Sequence, residues 1–259
     1  MPEKSPEQLN KSSAHDINVA RYNLEDRIFE AKEDAYARQQ PDKSKEIDTL
    51  LTLVQKSKGG SADVDGVSVS VPETERPAYL EWIAWRAFLA IDHMTNTAAQ
   101  ARHFNIDGDF LPTGTAGGGD CDVLIECGDT VFVVEVTLTT GSRQESAETE
   151  SVRRHVSDIM RANPGKDVKG VFLANVVASE TYNTFKNESY IYDDDVEFHP
   201  HILPLTIEQF QIIFRHLFRE GRKYATPKDF MDIFNAMDTE KTNFKVWREH
   251  IEDEVKKLA

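Results

Sequence analysis

The stretch CDVLIECGDTVFVVEVTL, residues 121–138, decides the fold class because it encodes two strands and the turn between them. CDVLIEC (121–127) and TVFVVEVTL (130–138) are rich in apolar and β-branched residues, as strands usually are. Gly128 and Asp129 separate the two runs, and a two-residue loop with glycine first is typical of a type II′ hairpin turn. The sequence therefore predicts an antiparallel pair of strands.

This turn also sets which residues face each other. If Cys127 and Thr130 flank it, Asp122 lies directly opposite Glu135, with Cβ atoms about 4.5–5.5 Å apart. Two like charges opposite each other destabilise a sheet, so we expect a cation between them. The alternatives are a bulge that shifts the register, or one carboxylate that points to solvent. The other face of the pair is apolar and is expected to join the core: Val123, Ile125, Phe132 and Val134.

A hard divalent cation such as Mg²⁺ fits this pair, because Mg²⁺ takes oxygen ligands and is often held by one or two carboxylates. The predicted metal ligands are Asp122, Glu135 and the backbone carbonyl of Val136. Asp120 is an alternative ligand, because residues two apart share a strand face. Gly117–Gly119, just before it, is expected to bring the backbone close to a ligand.

The helix predicted from about Arg143 to Arg161 supplies further polar groups. Gln144, Glu148 and His155 follow each other at spacings i, i+4 and i+11, so they lie near one helical face. We expect this face to meet the carboxylate pair. Arg153 and Arg154 are expected either to be solvated or to neutralise phosphates, and Arg143 is a third, weaker candidate for such a contact.

One further carboxylate lies in the mostly apolar helix PAYLEWIAWRAFLAID, residues 77–92. Burying Glu81 there is costly unless it is paired or bound to a metal. A structural ion pair with Arg86, or a place at the edge of the helix, is the simpler explanation of Glu81 taken alone. The convergence of carboxylates and one histidine from three elements favours a functional site.

The rest of the chain is predicted to fall into three parts. Residues 1–14 are expected to be a disordered tail, and 15–76 a helical linker region with helices from Asp16 to before Pro41 and over 44–54, then a loop over 57–71. Residues 77–259 form the predicted main domain, with a third strand over 169–178 and short strands up to Leu205. Helices are expected to start at Thr206, Thr226 and Thr242.

Composition restricts the classes of function. The chain has 259 residues, 39% of them hydrophobic, and a net charge of −15. This charge argues against a stand-alone, tight nucleic-acid binder. No segment approaches the roughly 18 apolar residues of a membrane helix, and the N-terminus lacks an apolar signal core. The two cysteines are too few for a disulfide scaffold, so we expect a cytoplasmic protein with no membrane partner.

An Asp in one strand and a Glu in the next is the weakly specific pattern of the PD-(D/E)xK nucleases. Longer segments are more specific: PAYLEWIAWRAFLAI (77–91), GTAGGGDCDVLIE (114–126) and VFVVEVTLTTGSRQESAETESVRRH (131–155). They closely resemble the catalytic domain of AlwI-type type IIS restriction endonucleases and the related nicking enzymes and catalytic subunits. The resemblance covers about Ile47 to Phe214 and implies an α/β, restriction-endonuclease-like core, a mixed sheet flanked by helices, with N-terminal and C-terminal helices around it.

This resemblance implies Mg²⁺-dependent cleavage of double-stranded DNA, with Mn²⁺ as a substitute metal, near a site read by another domain. Carried onto this chain, the family's site residues are Glu81, Asp122, Glu135, Glu148 and His155. The sequence departs from the wider pattern twice: Thr137 stands where a lysine is usual, and Cys121 precedes Asp122 where a proline is usual. Either Glu148 or His155 is the candidate general base.

The part that would read the DNA sequence is not recognisable here. The residues before Pro77 show no zinc-ligand spacing, no clear helix-turn-helix and no basic cluster. We therefore expect a catalytic subunit or an excised catalytic domain that works with a recognition subunit or domain, as a heterodimer or transient dimer when both strands are cut. A stand-alone nicking or defence nuclease, and a non-enzymatic assembly module, are the alternatives.

Overall fold

The structure is a computed structural model, and it describes residues 13–91, 93–187, 189–219, 222, 224–239 and 243–259, without the side chains of residues 142–147. Its described helices are α1 (Ala14–Ala37), α2 (Ser44–Gln55), α3 (Arg76–Leu89), α4 (Ser142–Ala162), α5 (Ser179–Asn187), α6 (Ile207–Leu217), α7 (Pro227–Met237) and α8 (Phe244–Leu258). Its described strands are β1 (Gly60–Val64), β2 (Val67–Val71), β3 (Asn105–Ile106), β4 (Pro112–Gly114), β5 (Val123–Cys127), β6 (Thr130–Thr137), β7 (Asp167–Ala174), β8 (Tyr190–Ile191), β9 (Glu197–Phe198) and β10 (His201–Thr206).

The fold is α/β, with a four-stranded mixed sheet in the order β10-β7-β6-β5 and helices packed around it. Strands β10, β7 and β6 run parallel, and β5 is antiparallel to β6. Parallel neighbours need a crossover connection, and α4 supplies it between β6 and β7. Strand β7 is buried from Val168 to Ala174, as expected for a strand covered on both faces.

The predicted hairpin register is confirmed. Val123 pairs with Val134 and Cys127 with Thr130 across β5 and β6. Gly128 has a φ of 63°, which glycine adopts without strain. Asp129 is not among the described residues with positive φ, as a type II′ turn requires. The core side chains predicted from this register, Val123, Ile125, Phe132 and Val134, are all buried.

Local structure departs from the predictions in three places. Within the segment 57–71, expected to be a loop, residues 60–71 form the hairpin β1–β2. Asp65 and Gly66 have φ angles of 51° and 85°, as in a type I′ turn, and the alternation in VSVSV buries Val69 and Val71. Helix α5 was not predicted, because its sequence SETYNTFKN is mostly polar and buries few large side chains. The third strand begins and ends earlier than expected.

The N-terminal helix α1 begins earlier than expected, because Ser13 and Asp16 form a capping box. The tail predicted over 1–14 is therefore wrong for its last two residues, and residues 1–12 lie outside the described residues. Most of α1 is exposed up to position 32, including Ile17 and Leu24. The C-terminal end of α1 is held by Glu33, which is fully buried and accepts hydrogen bonds from Arg102 at 2.5 and 3.0 Å.

The remaining helices begin close to where the sequence places them. Thr206 and Thr226 cap α6 and α7 as predicted, each through a capping box. Asn243 caps α8, while Thr242, the predicted start, lies outside the described residues. Helix α3 starts one residue early, at Arg76, and Asp92, the last residue predicted for it, is also outside them. Helix α2 buries Ile47 and Leu50 in the same hydrophobic core as the sheet.

Across the parts of the chain that the structure describes, no helix has both the length and the apolar character needed to span a membrane.

Gly170 in β7 provides a test of this packing. A Cβ atom there would lie 2.8 Å from Ile202 Cγ1 and 2.9 Å from Val156 Cγ2, so β10 and α4 leave no room for it. We expect Gly170→Ala to lower the free energy of unfolding by about 1–3 kcal/mol, as overpacking does. Urea denaturation measures this change. Gly108→Ala is the matched control, because a Cβ at Gly108 meets no atom within 4 Å. Equal stability of the two variants would contradict the predicted packing.

Candidate active site

One cavity of about 730 Å³ brings together the five residues predicted as the site. Helix α3 contributes Glu81, the segment before β5 contributes Asp122, β6 contributes Glu135, and α4 contributes Glu148 and His155. Asp120, Val136 and Thr137 also line it. The convergence expected from the sequence is therefore present in the fold, and the roles of these residues remain predictions.

The hairpin positions the two central carboxylates. Asp122 lies one residue before β5, and its Oδ2 accepts a hydrogen bond from the backbone N–H of Val136 at 2.8 Å. This bond holds the Asp122 side chain against the strand that carries Glu135, which is buried. On its other side, the carbonyl of Asp122 accepts from the His103 N–H at 3.1 Å. The backbone on both sides thus fixes Asp122.

Glu81 is buried in α3 and faces the cavity. Its Oε2 accepts a hydrogen bond from the backbone N–H of Ala116 at 2.7 Å. The simpler explanation, an ion pair with Arg86, is not what the structure shows. Arg86 donates instead to Glu46 at 2.6 Å and to Gln40 at 2.8 Å, and none of these three residues lines the cavity.

His155 links α4 to the central strand. Its Nδ1 lies 2.6 Å from Glu135 Oε1, and its Nε2 lies 3.1 Å from Nη2 of Arg154. The ring is buried, with 7% of the residue exposed. Both ring nitrogens therefore have hydrogen-bond partners within the protein.

Thr137 occupies the position where the wider nuclease pattern has a lysine, and its hydroxyl forms a hydrogen bond with Glu148 of α4. Its Oγ1 donates to Glu148 Oε1 at 3.3 Å and accepts from the Thr139 N–H at 3.0 Å. A lysine would bring a positive charge to this place, whereas the threonine brings only a hydroxyl. The strand thereby fixes Glu148 without neutralising it.

Burial and mutual repulsion raise the pKa values of the carboxyl groups. Burial raises the pKa of Glu81 to about 8, and the negative charge of Asp122 adds to the rise. The pKa of Glu135 is also raised to about 8, first by burial and then by Glu148 and Glu81. Burial and Glu135 raise the pKa of Asp122 well above its usual range. The folded protein therefore disfavours the charged forms of these three carboxyl groups.

The weaker predictions have separate outcomes. Asp120 is exposed at the rim of the cavity, and the side chains of Arg143 and Gln144 lie outside the described residues. Arg153 directs its Nη1 to the carbonyl of Ser189 at 2.8 Å, which holds it to the protein. Arg154 is partly exposed and bonds to His155. Phosphate contacts by these arginines remain predictions.

Sequence reasoning missed several groups in the cavity. Ser151 lies on α4 three residues after Glu148 and four before His155, so helical spacing alone was a usable signal for it. Thr139 and Thr140 follow β6 and also line the cavity, but no spacing rule singles them out. The contact between Ala116 and Glu81 joins residues 35 positions apart, which only the fold reveals.

The ligand atoms that the cavity offers fit a hard divalent cation. The described lining residues offer carboxylate, hydroxyl and carbonyl oxygens and include neither lysine nor arginine. Among those same residues, no three His, Cys, Asp or Glu side chains are close enough to form a complete metal cluster. Two carboxylates completed by a carbonyl, water or substrate phosphate are a common arrangement for Mg²⁺. Asp122, Glu135 and the carbonyl of Val136 are the residues that would provide it.

The mixed sheet and its flanking helices have a fold that is found among the restriction endonucleases. A solved structure with the same fold is the small subunit, R.BspD6I2, of the heterodimeric restriction endonuclease R.BspD6I. The two share 20% sequence identity and a TM-score of 0.63, and the alignment covers 83% of this chain and 100% of that one.

Within that class the family can be stated. The sequence model of the AlwI restriction endonuclease matches residues 6–213, which is most of the chain. The chain therefore belongs to the AlwI restriction endonuclease family. No curated protein matches it.

The raised pKa values predict how stability depends on pH. Between the ordinary Glu pKa near 4.3 and about 8, the folded protein binds more protons at Glu81 and Glu135 than the unfolded chain does, so stability falls as pH rises. Burial lowers the pKa of His155, which has the opposite effect, but only below its ordinary pKa near 6.5. We expect the free energy of unfolding in EDTA to decrease from pH 6.5 to 8.5, by up to about 1.4 kcal/mol per pH unit for each proton.

Glu135→Gln should make this slope shallower, because the amide resembles the protonated carboxyl group and does not titrate. Denaturant titrations at several pH values provide the measurement. Glu126→Gln is the control, because Glu126 pairs with Lys166 outside the cavity and should leave the slope unchanged. Stability that rises with pH over this range would contradict the raised pKa values.

Proposed function

We propose that this protein is a metal-dependent endodeoxyribonuclease that hydrolyses phosphodiester bonds in double-stranded DNA. It would act as the catalytic subunit or domain of a type IIS restriction or nicking endonuclease whose recognition part lies elsewhere. Residues 77–259 would be the nuclease domain, and residues 15–76, which include the hairpin β1–β2, would be a region joined to it. Such an enzyme would meet its DNA in the cytoplasm.

One observation carries this proposal: four carboxylates and a histidine from different elements converge on one cavity, although burial opposes the charge of Glu81, Asp122 and Glu135. Buried like charges are seldom kept without a use, and perturbed pKa values cluster at functional sites. The family supplies DNA as the substrate. The oxygen-rich lining supports Mg²⁺ as cofactor, with Mn²⁺ as a substitute.

The carboxylates of the site then each have a part in the proposed reaction. Asp122, Glu135 and the carbonyl of Val136 would hold the cation, which when bound stabilises charge on the phosphate and lowers the pKa of water. Glu148, fixed by Thr137, points its carboxylate into the cavity, where it can orient a water molecule or accept its proton. Glu81, fixed by the Ala116 N–H, can hold a water molecule from the opposite wall.

A recognition partner is part of the proposal for two reasons. The net charge of −15 opposes tight DNA binding by this chain alone. The solved structure with the same fold is the small subunit of a heterodimeric enzyme. A heterodimer, or a transient dimer, would then be needed to cut both strands.

The main test is cleavage of supercoiled plasmid at high protein concentration with Mg²⁺, Mn²⁺ or EDTA. We expect metal-dependent nicking that Glu135→Ala lowers by at least about 100-fold, because several kcal/mol of transition-state stabilisation are lost. Glu126→Ala, which removes a carboxylate from the neighbouring strand outside the cavity, should cleave like the wild type.

The other functions predict different results in this assay. Specific or efficient cleavage without any partner would favour a stand-alone nicking or defence nuclease. An assembly module would neither cleave nor bind Mn²⁺. If Glu135→Ala cleaves as well as the wild type, the proposed site is wrong.

DNA binding by the chain alone tests whether the recognition part lies elsewhere. We expect the wild type to bind short duplexes weakly and without sequence preference, with Kd values of about 10⁻⁶ M or weaker at physiological salt. Fluorescence anisotropy with duplexes of different sequence and at two salt concentrations would measure this. Nanomolar, sequence-dependent binding would show that the chain reads DNA itself.

A further inference from the structure

The hydrogen bonds of His155 determine which of its nitrogens carries the proton. The guanidinium of Arg154 has only N–H donors and no acceptor. Its Nη2 lies 3.1 Å from His155 Nε2, so Nε2 must accept this bond through its lone pair. In a neutral imidazole the proton is then on Nδ1, which donates to Glu135 Oε1 at 2.6 Å. The bonds run in one direction, from Arg154 through His155 to Glu135.

This chain of bonds leaves His155 without a free lone pair. A general base must offer a lone pair within hydrogen-bond reach of the water that it deprotonates. Nδ1 carries a proton directed at Glu135, and the lone pair of Nε2 already accepts from Arg154. The histidine is therefore poorly arranged to take a proton from water, whereas the carboxylate of Glu148 can accept one.

The same bonds orient Glu135. His155 occupies Oε1, and among the described residues no hydrogen bond is made to Oε2, which belongs to a side chain lining the cavity. The imidazole ring is held in place because its neighbours on α4, Val152 and Val156, are buried in the core. A carboxylate whose one oxygen is held by a histidine N–H presents the other oxygen in a defined direction.

We propose that His155 is a positioning residue, which orients the Glu135 carboxylate toward a divalent cation, and that Arg154 fixes the tautomer of His155 needed for this. The inference rests on the proposed function. It assigns Glu148, rather than His155, as the group that accepts the proton of the attacking water. It also assigns Arg154 a role in the protein itself, distinct from a phosphate contact.

Comparison of His155→Asn with His155→Ala tests the positioning role, with Mn²⁺ alone as the probe and no DNA present. The amide nitrogen of asparagine lies near the place of Nδ1 and can still donate to Glu135, whereas alanine cannot. We expect His155→Ala to weaken Mn²⁺ binding by about 10–100-fold, as loss of an outer partner of a metal ligand does. His155→Asn should stay within about threefold of the wild type. Titration calorimetry or electron paramagnetic resonance measures the affinity.

A glutamine variant, His155→Gln, provides a second test that does not depend on the folding of the alanine variant. The amide nitrogen of His155→Gln lies near the place of Nε2 and does not reach that of Nδ1, so this variant should bind Mn²⁺ as weakly as the alanine variant. It takes the place of His155→Ala if circular dichroism shows that the alanine variant does not fold.

Arg154→Met tests the second link, with Arg161→Met as its matched control. Arg161 is on the same helix, and its Nη2 pairs with Asp194 at 2.6 Å. Both variants lose one positive charge, but only Arg154→Met removes the donor to His155. We expect a loss of Mn²⁺ affinity of several-fold for Arg154→Met and none for Arg161→Met. Unchanged Mn²⁺ affinity with weaker DNA binding would show that Arg154 contacts phosphate instead.

The outcomes separate the positioning role from the proposed function. If Glu135→Ala and the wild type bind Mn²⁺ equally, or if neither binds it, the metal site itself is wrong. If Glu135→Ala loses Mn²⁺ but His155→Asn and His155→Ala have equal affinities, the metal site stands and the positioning role is overturned. Loss of plasmid cleavage in both histidine variants at wild-type Mn²⁺ affinity would instead make His155 the base.

Discussion

The register of the β5–β6 hairpin is the constraint on which the rest of the site depends. Because side chains alternate along a strand, a slip of one residue would move Glu135 to the core face and bring Val134 into the cavity. The two-residue turn at Gly128 prevents this slip, and the bond from the Val136 N–H to Asp122 extends the same alignment to the residue before β5. A short turn thus fixes where two negative charges meet.

Around that hairpin, the parallel half of the sheet returns the chain to the same cavity. Strand β6 pairs with both β5 and β7, so the crossover helix α4 must pass over the sheet next to Glu135. Its buried Val152 and Val156 anchor one face of the helix, and Glu148 and His155 lie toward the cavity. The packing that stabilises the sheet therefore also brings Glu148 and His155 to strand β6.

Much of this could be predicted from the sequence, and the failures have physical reasons. The hairpin register, the crossover helix and the set of acidic residues follow from local periodicity and turn chemistry, which act over a few residues. The hairpin over 60–71 was missed although Asp65-Gly66 and VSVSV carry the turn and strand signals, because its polar alternate residues resemble a loop. The partners of Glu81 and Arg86 depend on residues 35 and 40 positions away, and no local pattern specifies such contacts.

The electrostatics of the cavity oppose its proposed task unless other charges are present. In their charged forms, the carboxylates of the cavity repel both one another and the phosphates of DNA, and the excess of acidic residues adds to this repulsion. A divalent cation would relieve the first repulsion by holding Asp122 and Glu135 in their charged forms. It would relieve the second only locally, because salt at physiological concentration screens charges beyond about 8 Å. Tight binding of DNA would then depend on the proposed recognition partner. On this argument, the proposed nuclease would need both the cation and the partner before it could bring a phosphate to Glu148. The acidic residues that weaken DNA binding by this chain alone would then also limit cleavage in the absence of the partner.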